Sequence, residues 1–315
     1  MQFEHCYSFD PSYGYSLADL LTIPAPRTFP EFAEFWRQRY EKVLNQHPQP
    51  ISKFTEVNHV DYDSYDLSYR STDNITIGGW LLVPKYQPIT QGIVVGHGYG
   101  GRDQPDYHLA IPGAVLLFPC FRGLSRSRCS VFSDQPQYHV LHDIDNPKRY
   151  VLGGCVDDLW LAVSTLLLLF PEVAGQIGYM GISFGGGIGA LGVPWDPRIQ
   201  RAHFNVPSFG QQPLRLKLPT CGSAAAVQEY ARHHGNVSET LRYYDAATAA
   251  SYGLQAAHFA AALFDPVVAP PGQFAIYNAW TGTKKLFVLE AGHFEYSHQA
   301  AQEQALLQEL RTFFG

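Results

Sequence analysis

Two hydrophobic periodicities divide this chain. Over 51–84 apolar and polar residues alternate. Turn signals interrupt the alternation at Asp61-Tyr62-Asp63-Ser64 and Ser71-Thr72-Asp73-Asn74, and the segment closes on Gly79-Trp80-Leu81-Leu82-Val83-Pro84. A period of two with turn residues between the runs predicts three antiparallel strands joined by hairpins. Ahead of them, Phe29-Pro30-Glu31 opens a helical stretch in which Phe32, Phe35, Trp36 and Tyr40 share one face, so that face must pack on the rest of the chain. Beyond Pro84 the alternation gives way to short unbroken apolar runs at 92–96, Ala114–Pro119, Ile199–Asn205, 258–264 and 285–290. Such runs are expected of strands covered on both faces. Helical patterns at 153–169 and 297–313 fall between and after them, and strand alternating with helix predicts a doubly wound, mostly parallel sheet. The stretch 207–256 reads as mainly helical and too long for a plain loop, hence as an insertion over the C-terminal edge of the sheet. Neither an internal repeat nor a linker appears, and a single domain over 1–315 is expected.

The stretch Ile177-Gly178-Tyr179-Met180-Gly181-Ile182-Ser183-Phe184-Gly185-Gly186-Gly187 has a different character. An apolar strand-like run turns at Gly181 and enters a Gly/Ala-rich segment of helical length with Ser183 at its tip, the Gly-x-Ser-x-Gly pattern of a nucleophile elbow. Strand and helix must cross closely there, which favours glycine two residues before and two after the serine. The serine oxygen is then pushed out at the strand's C-terminal end, and the Phe184 amide sits at a helix N-terminus, where negative charge is favoured. Antiparallel strands first, parallel strands after and a serine elbow in the middle give the order of the α/β-hydrolase fold.

A serine becomes a useful nucleophile only beside a base, and the base needs an acid to fix its tautomer. In this fold the chain order is serine, acid, histidine, each partner lying just past a strand. Asp265 follows the 258–264 run and precedes Pro266-Val267-Val268-Ala269-Pro270-Pro271, a stiff loop suited to holding a carboxylate still. His293 follows the 285–290 run across Ala291-Gly292. Among the 13 histidines, His298 and His258 are weaker candidates for the base; Asp245, the rival acid, precedes an Ala-rich helical run and reads as an N-cap. The loop Gly96-His97-Gly98-Tyr99-Gly100-Gly101 supplies glycines that let a backbone amide approach a substrate oxygen. It lacks the register and the Lys-Ser/Thr of a phosphate-binding loop.

Composition narrows the field. A chain of 315 residues, 46% hydrophobic and 16% charged, buries a large core and does not read as disordered. Its net charge of −6, without any long basic run, argues against nucleic acid as a partner. Five cysteines, Cys6, Cys120, Cys129, Cys155 and Cys221, are odd in number and contain no Cys-x-x-Cys pair, so neither metal nor redox chemistry is expected. The N-terminus lacks the apolar core of a secretory signal, and a cytoplasmic location is expected. The most apolar window, 159–170, falls short of the ~20 residues that span a bilayer, so it predicts a buried core helix and no membrane association.

Several stretches taken together resemble the acetyl xylan esterase and cephalosporin C deacetylase family, carbohydrate esterase family seven. They are the Phe29-to-Trp36 helix start, His97-Gly98-Tyr99, Arg122-Gly123, Ser183 in its elbow, Asp196-Pro197-Arg198-Ile199, Leu241-Arg242-Tyr243-Tyr244-Asp245, Asp265-Pro266-Val267-Val268 and Gly292-His293. The resemblance implies deacetylation of small acetylated sugars and related esters without metal or cofactor. It also implies Tyr99 as the second oxyanion amide beside Phe184, and a homo-oligomer, a hexameric ring whose sites face an inner chamber. The chain departs from the family at Leu124, Phe184 and Phe294, where the family carries Gln, Gln and Glu. Tyr99 and Phe184 are accordingly the expected substrate contacts, with the Phe184 ring beside the acyl group. Sequence leaves open a peptidase or amidase on the same scaffold, and a hydrolase-fold binding protein that has lost catalysis; the intact Ser183, Asp265 and His293 argue against the latter.

Overall fold

The computed structural model describes residues 3–57, 59–235 and 237–315. Met1 and Gln2, read above for a leader, and Asn236, inside the expected insertion, lie outside the described residues. Among the described residues nine strands form one sheet: β1 (Ile51–Phe54), β2 (Tyr62–Arg70), β3 (Thr76–Pro84), β4 (Gln91–Gly96), β5 (Ala114–Pro119), β6 (Ile177–Ile182), β7 (Ile199–Asn205), β8 (Ala256–Ala262) and β9 (Lys284–Leu289). Their spatial order is β1-β2-β3-β5-β4-β6-β7-β8-β9. The first three pair antiparallel and β3 joins β5 antiparallel; every later pairing is parallel. This is the α/β-hydrolase architecture expected above.

The two predicted periodicities have separate causes. In β2, near the sheet edge, Tyr62 and Ser64 are buried on one face and Leu67 and Tyr69 on the other, with half-buried residues between them. In β5 every residue is buried, because helices cover both faces. Alternate residues of one strand therefore enter different cores. Val94, Leu117 and Tyr179 join the cluster made with the helices Glu31–Leu44, Val151–Leu169 and Phe184–Gly192. Ile93, Leu116 and Met180 join Leu306, Leu310 and Phe314 of the last helix, Gln299–Phe314.

Two expectations need correction, and a third is met with longer bounds. Asp61-Tyr62-Asp63-Ser64 is not a turn: β2 begins at Tyr62, and Ser64 is buried with its Oγ 3.3 Å from the Tyr107 hydroxyl, so an inward polar residue imitated turn composition. The helix expected over 153–169 is present and buried as expected, two residues longer at its start: Val151–Leu169, 19 residues, is long and apolar enough to cross a membrane by length and composition, yet 83% of its most apolar 18-residue window is buried inside the chain. Asp157 and Asp158 near its middle are buried too, and each meets an arginine at 2.7 Å, Arg39 and Arg122. His298, inside the helical pattern expected over 297–313, instead precedes the last helix.

The segment after β7 contains helices at Gln212–Arg215, Ser223–His234, Ser238–Leu241 and Ala246–Ala250. Asp245 caps the last of these, accepting from the Thr248 amide at 2.9 Å.

Candidate active site

At the C-terminal end of β6 the chain turns through Ser183 with φ 53° and ψ −112°, a region that non-glycine residues avoid. Such a conformation costs roughly 1–3 kcal/mol and persists only where its surroundings hold it. Here the Ser183 amide donates to the Asn205 carbonyl at 2.8 Å, the Ser183 carbonyl accepts from Ser208 at 3.0 Å, and the Gly185 amide donates to the His97 carbonyl at 2.9 Å. The buried Tyr179 hydroxyl donates to the Gly185 carbonyl at 2.6 Å. Glycine is needed on both sides: a Cβ on Gly181 would lie 2.5 Å from the Gly185 oxygen, and one on Gly185 would lie 2.7 Å from the His97 oxygen.

Asp265 stands three residues past β8 and is fully buried. One carboxylate oxygen accepts from the Val267 and Val268 amides, both at 2.9 Å; the other accepts from the Gln273 side chain at 3.0 Å and from His293 Nδ1 at 2.8 Å. With Nδ1 donating to Asp265, His293 Nε2 carries the lone pair, and it lies 2.8 Å from Ser183 Oγ. Gly292 brings the histidine this close, since a Cβ there would lie 2.5 Å from the Asp265 carboxylate. Desolvation acts on His293 most strongly and lowers its pKa, but the charge of Asp265 and its hydrogen bond together outweigh it and leave the imidazole above its ordinary value.

Ser183 and His293 open on a cavity of about 530 Å³, within the range of small-molecule sites. Tyr99 lines it, and so do Phe209, Leu214, Leu218 and Val268. Among the described residues the Tyr99 and Phe184 amides donate to no other group. Two histidines fix the Tyr99 loop: His97, legible in the sequence only as a member of that loop, and His139, which sequence reasoning passed over. His97 accepts from the Phe121 amide through Nε2 at 3.0 Å and donates through Nδ1 to the Gly98 carbonyl at 2.6 Å. His139 donates through Nε2 to the Arg122 carbonyl at 2.9 Å, which leaves Nδ1 to face the Tyr99 hydroxyl at 3.3 Å. Burial holds both rings neutral, His97 at a pKa of about 3 and His139 at about 4.

The side chain of Phe184 is a correction to the sequence reading. It is fully buried and absent from the cavity wall, so it is not the acyl contact expected above. Its ring stacks on that of Tyr99 at 4.0 Å between centroids and meets Phe121 and Phe209 edge-on at 5.4 and 6.0 Å. The first residue of the elbow helix points its ring back under the Tyr99 loop, where an apolar nest satisfies it. Gln273 and the Pro11 carbonyl, which accepts from the Asp265 amide at 3.1 Å, were also missed, because nothing in their local sequence announces a contact so distant along the chain. His298 lies beside Glu290 at 3.1 Å and His258 beside Glu309 at 3.2 Å; neither lines the cavity. Arg122-Gly123 is structural as well, tying the loop after β5 to Asp158, Ser71 and Thr72. No group of three or more His, Cys, Asp or Glu among the described residues could hold a metal ion.

Comparison with known proteins agrees with this architecture. A sequence model of the acetyl xylan esterase family matches residues 15–310. An acetyl xylan esterase from Paenibacillus sp. R4 superimposes with a TM-score of 0.84 at 21% identity, over 95% of this chain and 100% of that one. Acetyl xylan esterase 1 from Thermoanaerobacterium sp. JW/SL YS485 gives 0.78 at 20% identity, over 96% and 99%. An acylaminoacyl peptidase from Pyrococcus horikoshii gives 0.62 at 14% identity, over 81% of this chain and 42% of that one. At such identities the structural likeness establishes the shared fold.

Proposed function

The chain belongs to the acetyl xylan esterase family and is a carboxylic ester hydrolase; on that premise we propose that it cleaves acetyl and similar short acyl esters through an acyl-serine, with Ser183 as nucleophile, His293 as base and Asp265 as the acid behind it. The observation that carries this reading is the unbroken hydrogen-bonded line from Asp265 through His293 to Ser183, opening on a cavity. His293 Nε2 takes the Ser183 proton as Oγ attacks the ester carbonyl carbon, and the imidazolium is stabilised by the buried Asp265 carboxylate. The carbonyl oxygen becomes an oxyanion, for which the free Tyr99 and Phe184 amides are the donors at the elbow helix's N-terminus. Collapse of this intermediate passes the proton from His293 to the departing alkoxide and leaves the acyl group on Ser183. Water, deprotonated by the same histidine, then attacks the acyl carbonyl; the carboxylic acid leaves and Ser183 recovers its proton. The mostly apolar wall strengthens each of these electrostatic steps by excluding competing water.

Hydrolysis of p-nitrophenyl acetate and of acetylated xylose by wild type and Ser183→Ala tests the assignment. The variant should lose about 10⁴- to 10⁶-fold in kcat while its circular dichroism stays native. A variant keeping most of its activity would require another nucleophile.

A further inference from the structure

Arg215 stands out on the cavity wall. It ends the short helix Gln212–Arg215 in the segment after β7. Among the described residues no Asp or Glu lines the cavity, and Arg215 is its one permanent cation, although the chain carries a net charge of −6. Other buried or half-buried arginines have carboxylate partners: Arg39 has Asp157 at 2.7 Å, Arg122 has Asp158 at 2.7 Å, Arg198 has Asp196 at 2.6 Å and Arg102 has Asp106 at 3.2 Å. Arg215 forms no such ion pair among the described residues. Its Nη1 donates to Gln212 Oε1 at 3.3 Å, and its guanidinium lies over the Phe209 ring at 5.2 Å. Asp245, the acid that acts on it through space, gives its two carboxylate oxygens to the Gln212 and Thr248 amides. Desolvation prevails and lowers the arginine's pKa, yet a guanidinium stays charged at any working pH. Arg215 is half-buried in the cavity wall, so its guanidinium is partly stripped of water with no carboxylate beside it, and a ligand anion is the partner that would offset that cost.

An acetyl group brings only a carbonyl and a methyl into the site, so the rest of the cavity must receive the alcohol portion. A single guanidinium with no second permanent cation suits a monoanion. A phosphate monoester would bring about 1.5 to 2 negative charges. We propose that the alcohol portion of the substrate carries a carboxylate that pairs with Arg215, so that the preferred substrates are acetyl esters of acidic alcohols such as hydroxy acids or acidic sugars. The proposal rests on the esterase reading above. Leu214, Leu218 and Val268 supply the apolar surface that such an alcohol's carbon skeleton covers.

The test compares kcat/KM for 4-acetoxybenzoate and for the neutral isostere 4-acetoxybenzamide, in wild type, Arg215→Gln and Arg215→Lys. Comparing the ratio of the two substrates across enzymes cancels their difference in leaving-group chemistry. The ratio should fall about 10- to 100-fold in Arg215→Gln, the range of a charge-assisted hydrogen bond, and less in Arg215→Lys. A second measurement needs only the wild type: 4-hydroxybenzoate should inhibit hydrolysis of the neutral ester competitively and at least about tenfold more tightly than 4-hydroxybenzamide. An unchanged ratio, or equal inhibition by the two phenols where the variants do not fold, would overturn the proposal and leave Arg215 as a packing residue against Phe209. Failure of the wild type to turn over either ester would instead count against the esterase reading, and the proposal would fall with it.

Discussion

Replacing Phe184 should damage stability and rate while leaving the preference between acyl groups intact. The ring is wholly buried, with Tyr99, Phe121, Phe209, His139 and His97 around it at centroid distances of 4.0, 5.4, 6.0, 6.1 and 6.4 Å. Truncating a buried phenylalanine to alanine costs about 3–5 kcal/mol, and the aromatic pairings place this site toward the upper end. At about 2–4 °C per kcal/mol for a large domain, Phe184→Ala should melt about 10 °C below wild type. Phe184→Gln keeps more volume but brings an amide into a nest whose nearest polar ring, His139, is already paired, which adds about 1–3 kcal/mol for an unsatisfied group. Because the ring underlies Tyr99, kcat should fall in both variants as the proposed oxyanion donor loses its support. Because the ring does not reach the cavity, kcat/KM for p-nitrophenyl acetate relative to the butyrate should stay within about twofold, well short of what a lost pocket contact produces. Thermal unfolding by circular dichroism and the two esterase rates decide the matter. A variant melting with the wild type, or one whose acyl preference moves by tenfold or so, would refute the packing argument.

Protonated His293 cannot accept the Ser183 proton, so kcat/KM should fall as pH drops through its raised pKa, with the acid limb above about 6.5. Asp265→Asn removes the raising influences and leaves burial, so the limb should move to lower pH while the rate falls about 10⁴-fold; pH-rate profiles of both enzymes check this, and a wild-type limb at or below the ordinary histidine value would contradict it. Three of the four buried histidines should also make the fold acid-sensitive. Desolvation depresses His97 and His203 to about 3 and His139 to about 4 in the folded chain, whereas each takes a proton near 6.5 once unfolded. Their neutral burial is therefore tolerated in full above that pH, and stability is lost as pH falls toward the folded values, at about 1.4 kcal/mol per unit for each group. Urea midpoints at pH 7 and pH 5 measure it, and equal midpoints would count against the burial argument.

The sequence made the scaffold of the site readable because the elbow's demands are local. Gly181 and Gly185 answer to backbone oxygens within a few residues or one strand away, and Asp265 and His293 each follow an apolar run with strand character, buried in β8 and half-buried in β9 at the sheet edge. What could not be read depends on contacts distant in sequence. The direction of the Phe184 ring is set by Phe121 and Phe209, the hold on Asp265 comes partly from Gln273 and Pro11, and the isolation of Arg215 follows from Asp245 bonding elsewhere. Composition misled where a polar residue faces inward: Ser64 belongs to a strand because Tyr107 stands opposite its hydroxyl.

The central claim is that Ser183 is the activated nucleophile, and covalent capture tests it most directly. The chain should be incubated with a fluorophosphonate at neutral pH, digested, and mapped by mass spectrometry beside the His293→Ala variant. One stoichiometric phosphonyl adduct on Ser183 is expected in the wild type, with labelling slowed by orders of magnitude when the base is gone. An adduct on another residue, or an unlabelled Ser183 in an enzyme that turns over acetyl esters, would contradict it.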